Sequence, residues 1–231
     1  GNGHFTDVTT FAGVENEKVA ENGKNTTSWG TIFLDLDNNT WPDLWVTNGR
    51  IPALLVYETG PNDPNKLYYN NQDGTFTDIS DAAGIADVHL GRGTAYSDFD
   101  QDGDLDVFVT VLGQGEPEFR SKLFINKSTN DNHYVQFKLT GTISNRDAFG
   151  ARLYLYHGSE VQMQEVYGGG GSYCSQHTKV RHFGLGPDTR IDSVKVLWPN
   201  GLTEVFSDFP QVDTLYHLEE GLTVNTRTPI D

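Results

Sequence analysis

The sequence has little that would cross-link this chain or carry it through a membrane. Cys174 is the one cysteine among 231 residues, which excludes an internal disulfide and predicts a small buried thiol. No stretch approaches the roughly 18 consecutive apolar residues of a membrane-spanning helix. We therefore expect no membrane span.

Positive charge is also scarce. Lys and Arg total 16 against 32 Asp and Glu, for a net charge of -16 at pH 7. Nucleic acids and anionic membrane surfaces would repel such a chain, so neither is expected as a partner. The balance suits a secreted protein, or one that takes up cations.

No segment has the length and 3.6-residue periodicity of a long helix. Aromatic residues make up 12 % of the chain, and short apolar runs alternate with Gly, Asn, Asp and Thr. This texture is typical of an all-β protein with many turns. A chain of this length forms one large β domain or two small ones.

The first half of the chain repeats itself. Three pairs of segments match: 1–14 with 73–85, 30–48 with 93–111, and 66–72 with 122–128. Each unit is predicted to contain four short strands, in the order LYYN, FTDIS, GTAYSDFD and DVFVTV. Four short antiparallel strands per repeat are typical of a propeller blade.

Residues 1–128 are therefore expected to form two propeller-like blades and the start of a third. A complete propeller needs about four or more blades. The shortfall would leave sheet edges exposed, and such edges can pair with another copy of the chain. A homo-oligomer or filament is one expectation that follows.

The texture changes in residues 129–231. Segments such as HYVQFKLTG, GARLYLYHG and IDSVKVLWPNG alternate apolar and polar residues, and Pro-Asn-Gly at 199–201 marks a turn. A small β-sandwich-like domain is predicted there. His182 lies in the run RHFGLG and is expected to be a structural strand residue.

The segment DFDQDGDLD at 98–106 places aspartates on alternate residues. Hard oxygen ligands at this spacing, with Gly103 allowing a sharp turn, are suited to Ca²⁺. Position 12 of an EF-hand would require Glu, but Val109 stands there, so an EF-hand is excluded. The predicted ligands are the backbone carbonyl of Asp104 and the side chains of Asp98, Asp100, Asp102 and Asp106.

The first repeat carries an equivalent segment, DLDNNTWPD at 35–43. Its predicted ligands are the carbonyl of Trp41 and the side chains of Asp35, Asp37, Asn39 and Asp43. This loop has one carboxylate fewer, and Thr40 stands where the second loop has glycine. Two Ca²⁺ sites are predicted, the second binding more tightly because carboxylate count tunes affinity.

Longer motifs strengthen this interpretation. NKLYYNNQDGTF, DGTFTDISDAAGI and GTAYSDFDQDGDLDVFVT resemble FG-GAP or VCBS-type repeats, the calcium-binding blades of integrin-like propellers. GTISNRDAFGARLYLY, GGGGSYCSQ, RHFGLG and IDSVKVLWPNG resemble the ASPIC/UnbV domain that follows such repeats in the cartilage acidic protein family. The resemblance implies an extracellular, secreted or surface-exposed calcium-binding protein.

Two functions are compatible with the sequence. The first is a calcium-stabilised extracellular module for adhesion or assembly, without catalytic activity, that binds a protein or glycan surface. The alternative is a calcium-dependent secreted enzyme, a hydrolase or lyase acting on glycans or a small metabolite. Catalysis would require a second group of convergent carboxylates or histidines, and the sequence shows none outside the loops.

Surface features of the sequence bear on glycans. Asn25, Asn38 and Asn126 begin Asn-X-Ser/Thr sequons. Asn25 is the most plausible acceptor, since Asn38 lies inside a predicted calcium loop. Trp41, Tyr57 and Tyr173 could stack on sugars if exposed, or fill the core if buried.

Overall fold

The computed structural model describes residues 3–16, 26–49, 51, 63–113, 120–169 and 174–221. Within them lie one short helix, α1 (Thr9–Ala12), and fourteen strands. The predicted all-β class is confirmed. No helix in these ranges is long and apolar enough to cross a bilayer.

The repeat region forms two antiparallel sheets. The first has the order β1-β2-β3-β4, with β1 (Ser28–Leu34), β2 (Asp43–Asn48), β3 (Lys66–Asn70) and β4 (Phe76–Asp78). The second has the order β5-β6-β7, with β5 (Gly91–Ser97), β6 (Asp106–Val111) and β7 (Lys122–Phe124).

The two sheets do not begin and end where the predicted four-strand units do. β4 pairs with β3, whereas β5 opens the second sheet. Between them the chain turns through helical-type bonds, including Ala83 N–H to the Ile79 carbonyl at 2.8 Å. The four-strand unit expected from the sequence is therefore divided between two sheets. The segment expected to open a third unit contains β7, which pairs with β6 as the third strand of the second sheet.

Residues 133–219 form two further sheets. The larger has the order β10-β9-β12-β13, with β9 (Arg152–His157), β10 (Glu160–Glu165), β12 (Ile191–Leu197) and β13 (Thr203–Phe209). The smaller has the order β11-β8-β14, with β8 (His133–Thr140), β11 (Arg181–Gly186) and β14 (Thr214–Glu219). β14 runs parallel to β8, and the remaining pairs are antiparallel.

Each pair of sheets encloses its own core. The core between the two tail sheets includes fully buried Phe137, Phe183 and Trp198. The largest core of the repeat region includes Ile32, Trp45 and Val109 from three different strands. Burial of this apolar surface holds each pair of sheets together. Contacts between the repeat region and the tail include those of two polar loops of the repeat region, and these loops carry the candidate site.

Candidate metal centre

Both acidic loops are the turns of equivalent hairpins. The first connects β1 to β2 and the second connects β5 to β6, with the pairs Leu34↔Asp43 and Ser97↔Asp106 closing the ladders. Asn38 and Thr40 have φ of 60° and 79°, and the residues at the same loop positions, Gln101 and Gly103, have 61° and 94°. The two loops therefore have left-handed φ angles at the same two positions despite their different side chains.

The second loop gathers three carboxylates. Asp98, Asp100 and Asp106 each present an oxygen, and these oxygens lie within 4.8 Å of one another. Among the residues that the structure describes, this is the one group of at least three acidic, His or Cys side chains so arranged. Three of the four predicted side-chain ligands are thus brought together.

Asp98 has an oxygen that the protein leaves without a partner. Its Oδ2 accepts hydrogen bonds from Gly103 N–H at 3.2 Å and Gln136 Nε2 at 3.0 Å, but its buried Oδ1 accepts none. Burial raises the pKa of Asp98, with Asp102 adding repulsion. A buried, unpartnered carboxylate oxygen beside two further carboxylates fits a bound cation.

The other two predicted residues of the second loop lie at its edge. Asp102 Oδ1 accepts the Asp104 N–H at 3.1 Å, and Asp104 Oδ1 accepts Asn38 Nδ2 at 2.9 Å. Burial, then the charges of Asp102 and Asp98, raise the pKa of Asp104 to about 6. Lys127 Nζ lies 3.1 Å from Asp100 and holds the pKa of that carboxyl below its usual value. Lys127 is thus the cation already present at the rim.

The first loop is more fully satisfied by its own donors. Asp35 accepts the N–H groups of Asn39 at 3.0 Å and Thr40 at 2.8 Å, while Asp37 accepts Asn39 Nδ2 at 3.0 Å. Asn39 Oδ1 accepts the N–H of Trp41 at 2.8 Å. The predicted oxygens are near one another in the chain, but several are already hydrogen-bonded.

Burial nevertheless disfavours charge in this first loop. It raises the pKa of Asp35 to about 7 and that of Asp43 to about 6. Asp43 is buried, and its oxygens accept Asn70 N–H at 2.9 Å and Leu36 N–H at 3.4 Å. Positive charge nearby would favour the ionised form of both carboxyls. The predicted first calcium site therefore stays a prediction, with weaker geometric support than the second.

Thr40 occupies a conformation better suited to glycine. A β-branched residue at φ 79° costs about 1 to 2 kcal/mol, whereas glycine at this position carries no such penalty. We expect Thr40→Gly to raise the free energy of unfolding by about 1 kcal/mol after the added chain entropy is counted. Urea denaturation measures the difference.

The control for this substitution is the matching position of the second loop. Gly103 has φ 94°, and a Cβ there would lie 2.0 Å from the Tyr134 ring. Gly103→Ala is therefore expected to destabilise the protein. A Thr40→Gly variant that unfolds more easily than the parent would contradict the account of strain.

The loops touch each other and the tail through Asn38, a buried residue that sequence reasoning did not select. Its Nδ2 donates to Asp104 Oδ1 at 2.9 Å and to the Gly103 carbonyl at 3.3 Å in the other loop. Its Oδ1 lies 2.6 Å from His182 Nε2, and its carbonyl accepts Gly186 N–H at 2.8 Å. The sequence carried one signal for the role of Asn38, because the matching position of the second loop holds a different residue, Gln101.

The tail provides two further buried residues at this junction. Gln136 in β8 reaches Asp98, and His182 in β11 reaches Asn38. The prediction that His182 is a structural strand residue is confirmed. Burial lowers the pKa of His182 to about 3, so its ring is neutral at physiological pH. We refer to Asn38, Gln136, His182 and the two acidic loops as the junction.

The three Asn-X-Ser/Thr sequons differ in whether a glycan could be attached to their asparagine. Asn38 is buried with both side-chain atoms bonded, which excludes a glycan in the folded state. Asn126 donates from Nδ2 to the Leu36 carbonyl at 2.7 Å, so a glycan there would break this contact. Asn25 lies outside the described residues, as do Tyr57 and Tyr173. Trp41 is 44 % exposed.

Comparison with known proteins finds one family match in each half of the chain. Residues 52–109 match the model of the FG-GAP-like repeat, and residues 141–224 match that of ASPIC and UnbV. The expected resemblance is confirmed. The first match contains the second acidic loop, whereas the first loop precedes it.

Several curated relatives share the name cartilage acidic protein 1. The Xenopus tropicalis protein is 43 % identical over 79 residues, which is 34 % of this chain and 11 % of the relative. The Homo sapiens protein is 49 % identical over 56 residues, 24 % of this chain and 8 % of the relative. The Mus musculus protein is 47 % identical over 56 residues, 24 % of this chain and 9 % of the relative. The chain thus spans about a tenth of the length of the relatives it matches.

Proposed function

We propose that this chain, which combines an FG-GAP-like repeat with an ASPIC and UnbV domain, is a calcium-stabilised extracellular binding or assembly module without catalytic activity. The observation that carries the proposal is the acidic cluster of the second loop. Its three carboxylates converge, and Asp98 Oδ1 is buried there without a hydrogen-bond donor. A hard divalent cation is the ligand that such oxygens prefer.

In the second loop, Asp98, Asp100, Asp102 and Asp106 would hold the ion with the carbonyl of Asp104. In the first loop, Asp35, Asp37, Asn39 and Asp43 would do so with the carbonyl of Trp41. Calcium supplies positive charge and coordination that compensate for the clustered carboxylates.

Hydrogen bonds connect the two loops to each other and to the tail, so an ion that holds the loops would also make the junction rigid. Asp98 is bonded to Gln136 of the tail, and Asp104 is bonded to Asn38 of the first loop. Asn38 is bonded in turn to His182 of the tail. Holding either loop in place therefore positions the repeat sheets against the tail sheets. The result is a fixed surface for a protein or glycan partner.

The open sheets support the assembly part of the proposal. β4 and β7 are the last strands in the order of their sheets, and each has three residues. Their outer edges offer backbone groups to another strand. Self-association through these edges would be detected by light scattering, with a monomer both with and without calcium as the contrary result.

Calcium titration calorimetry tests the binding function directly. We expect two binding events, both in or somewhat below the range of roughly 10⁻⁴ to 10⁻³ M that is usual for extracellular modules. Asp98→Asn should weaken the tighter event by at least about tenfold, and Asp35→Asn the weaker one, since each removes a charged ligand. Mg²⁺ should compete poorly because it favours a smaller, more hydrated site.

A substitution outside the loops provides the control. Asp81 is an exposed carboxylate in the turn between β4 and β5, so Asp81→Asn should leave both events unchanged. If the parent protein gives no heat of calcium binding, the calcium proposal is refuted.

A further inference from the structure

A cavity of about 560 Å³ separates the repeat region from the tail, on the side of the first loop. Phe33 of β1 and Trp41 of the first loop lie on one side of it. Met163 of β10, Tyr167 and Arg181 of β11 lie on the other. Both parts of the chain thus contribute to its lining, and neither forms the cavity alone.

Arg181 is a buried cation in this lining without an anionic partner. It is 1 % exposed, and no carboxylate of the described residues lies within ion-pair distance of its guanidinium. Its Nη1 donates to the Glu165 carbonyl at 3.3 Å and its Nη2 to the Thr178 carbonyl, while its buried Nε has no partner. A buried charge left unpaired is costly. In a chain with twice as many acidic as basic residues, this isolation of Arg181 points to an external anion.

The acidic side chains in the lining are already engaged. Glu165 Oε2 accepts Arg152 Nε at 3.0 Å. Asp35 accepts backbone N–H groups from Asn39 and Thr40. Neither carboxylate is paired with Arg181, and both have donors of their own. Arg181 is the one arginine or lysine of this lining and would attract an anion that enters the cavity.

The remaining lining favours an apolar body on that anion. Phe33 is 62 % exposed, Met163 54 %, Trp41 44 % and Tyr167 39 %, so apolar surface faces solvent around the opening. The Tyr167 ring lies 5.4 Å from the Arg181 guanidinium carbon. Burial raises the pKa of Tyr96 to about 12, against the opposing charge of nearby Arg181, so the Tyr96 phenol keeps its proton.

We propose that this cavity binds a small aromatic carboxylate. The positive charge of Arg181 attracts the carboxylate, and the aromatic body packs on Trp41, Tyr167 and Met163. A neutral ligand of the same shape would fill the cavity but leave Arg181 uncompensated. Arg181 belongs to neither loop, but Asp35 and Trp41 of the first loop line the cavity, so binding is measured with calcium present.

Met163 allows a test on the unaltered protein, since it is the one methionine of the chain. When the protein is labelled with ¹³C-methyl methionine, the single methyl resonance of Met163 reports on the cavity. Titration with phenylacetate in calcium buffer should shift this resonance and reach saturation by about 10 mM. Phenylacetamide, which has the same shape without the charge, should bind at least about tenfold more weakly.

Two arginine variants complete the test. Arg181→Gln should weaken phenylacetate binding at least about tenfold and abolish the preference for acid over amide. Arg190→Gln, which alters an exposed arginine paired with Asp192 at 3.2 Å, should change neither. If Arg181→Gln does not fold, the acid and amide titrations of the parent decide the question. Equal shifts with both compounds, or no saturable shift with phenylacetate, would overturn the proposal.

Discussion

Removing calcium is expected to lower the melting temperature of this protein by about 5 to 10 °C. At a free calcium concentration 100 times the dissociation constant, binding to the native state alone adds about 2.7 kcal/mol. For a chain of this size each kcal/mol shifts the melting temperature by about 2 to 4 °C. Calorimetric melts in calcium and in chelator, at matched ionic strength, measure the shift.

Asp98→Asn makes this experiment specific to the second loop. The amide can still accept from Gly103 N–H and Gln136 Nε2 through its oxygen, so the local hydrogen bonds survive. In calcium the variant should melt well below the parent, because a charged ligand is lost. In chelator it should melt at or above the parent, because burial no longer penalises an anion there.

This reversal separates a lost ligand from a damaged fold. A variant that is less stable than the parent by the same amount under both conditions would show that the substitution damages the fold and removes no calcium ligand. Asp81→Asn should follow the parent in both buffers. If chelator does not change the melting temperature of the parent protein, the calcium proposal is contradicted.

Gly184→Ala is expected to cause the second large effect, a loss of about 3 kcal/mol in the free energy of unfolding. A Cβ at Gly184 would lie 2.1 Å from Asp35 Oδ2 and 2.6 Å from the backbone carbonyl carbon of Asn38. Backbone atoms cannot rotate out of the way, so the first loop must separate from β11. The hydrogen bond between Asn38 and His182 would be strained or lost in consequence.

Denaturant titration of Gly184→Ala measures this loss, and Gly168→Ala is its control. A Cβ at Gly168 would meet the Phe149 ring at 3.7 Å, an ordinary contact, so near-parental stability is expected. Calorimetry should also show weaker calcium binding at the first loop of Gly184→Ala, because Asp35 is displaced. Parental stability of this variant would mean that the close approach of β11 to the first loop is not a requirement of the fold.

The acidic loops were predictable from the sequence because their signals are local. Alternate aspartates, a glycine at the turn and flanking β-type runs all lie within a few residues. Asp98, Asp100 and Asp106 converge as the spacing predicts. The strands themselves follow from alternating apolar residues and turn signals for the same reason.

The grouping of strands was harder to predict. A repeat can be divided at any point without changing its period, so the sequence could not show that β4 ends one sheet and β5 begins the next. The pairing of β3 with β4 and the turn after Asp78 decide that division.

The sequence by itself determined the strands, the two acidic turns and the resemblance of each half, because each is encoded in a continuous segment. Only the tertiary structure decided that Asn38 meets His182, 144 residues later in the chain. It also decided that Arg181 is buried beside a cavity, with no carboxylate of the described residues within ion-pair distance. The burial and the missing partner arise when separate sheets pack together, and no short segment encodes them.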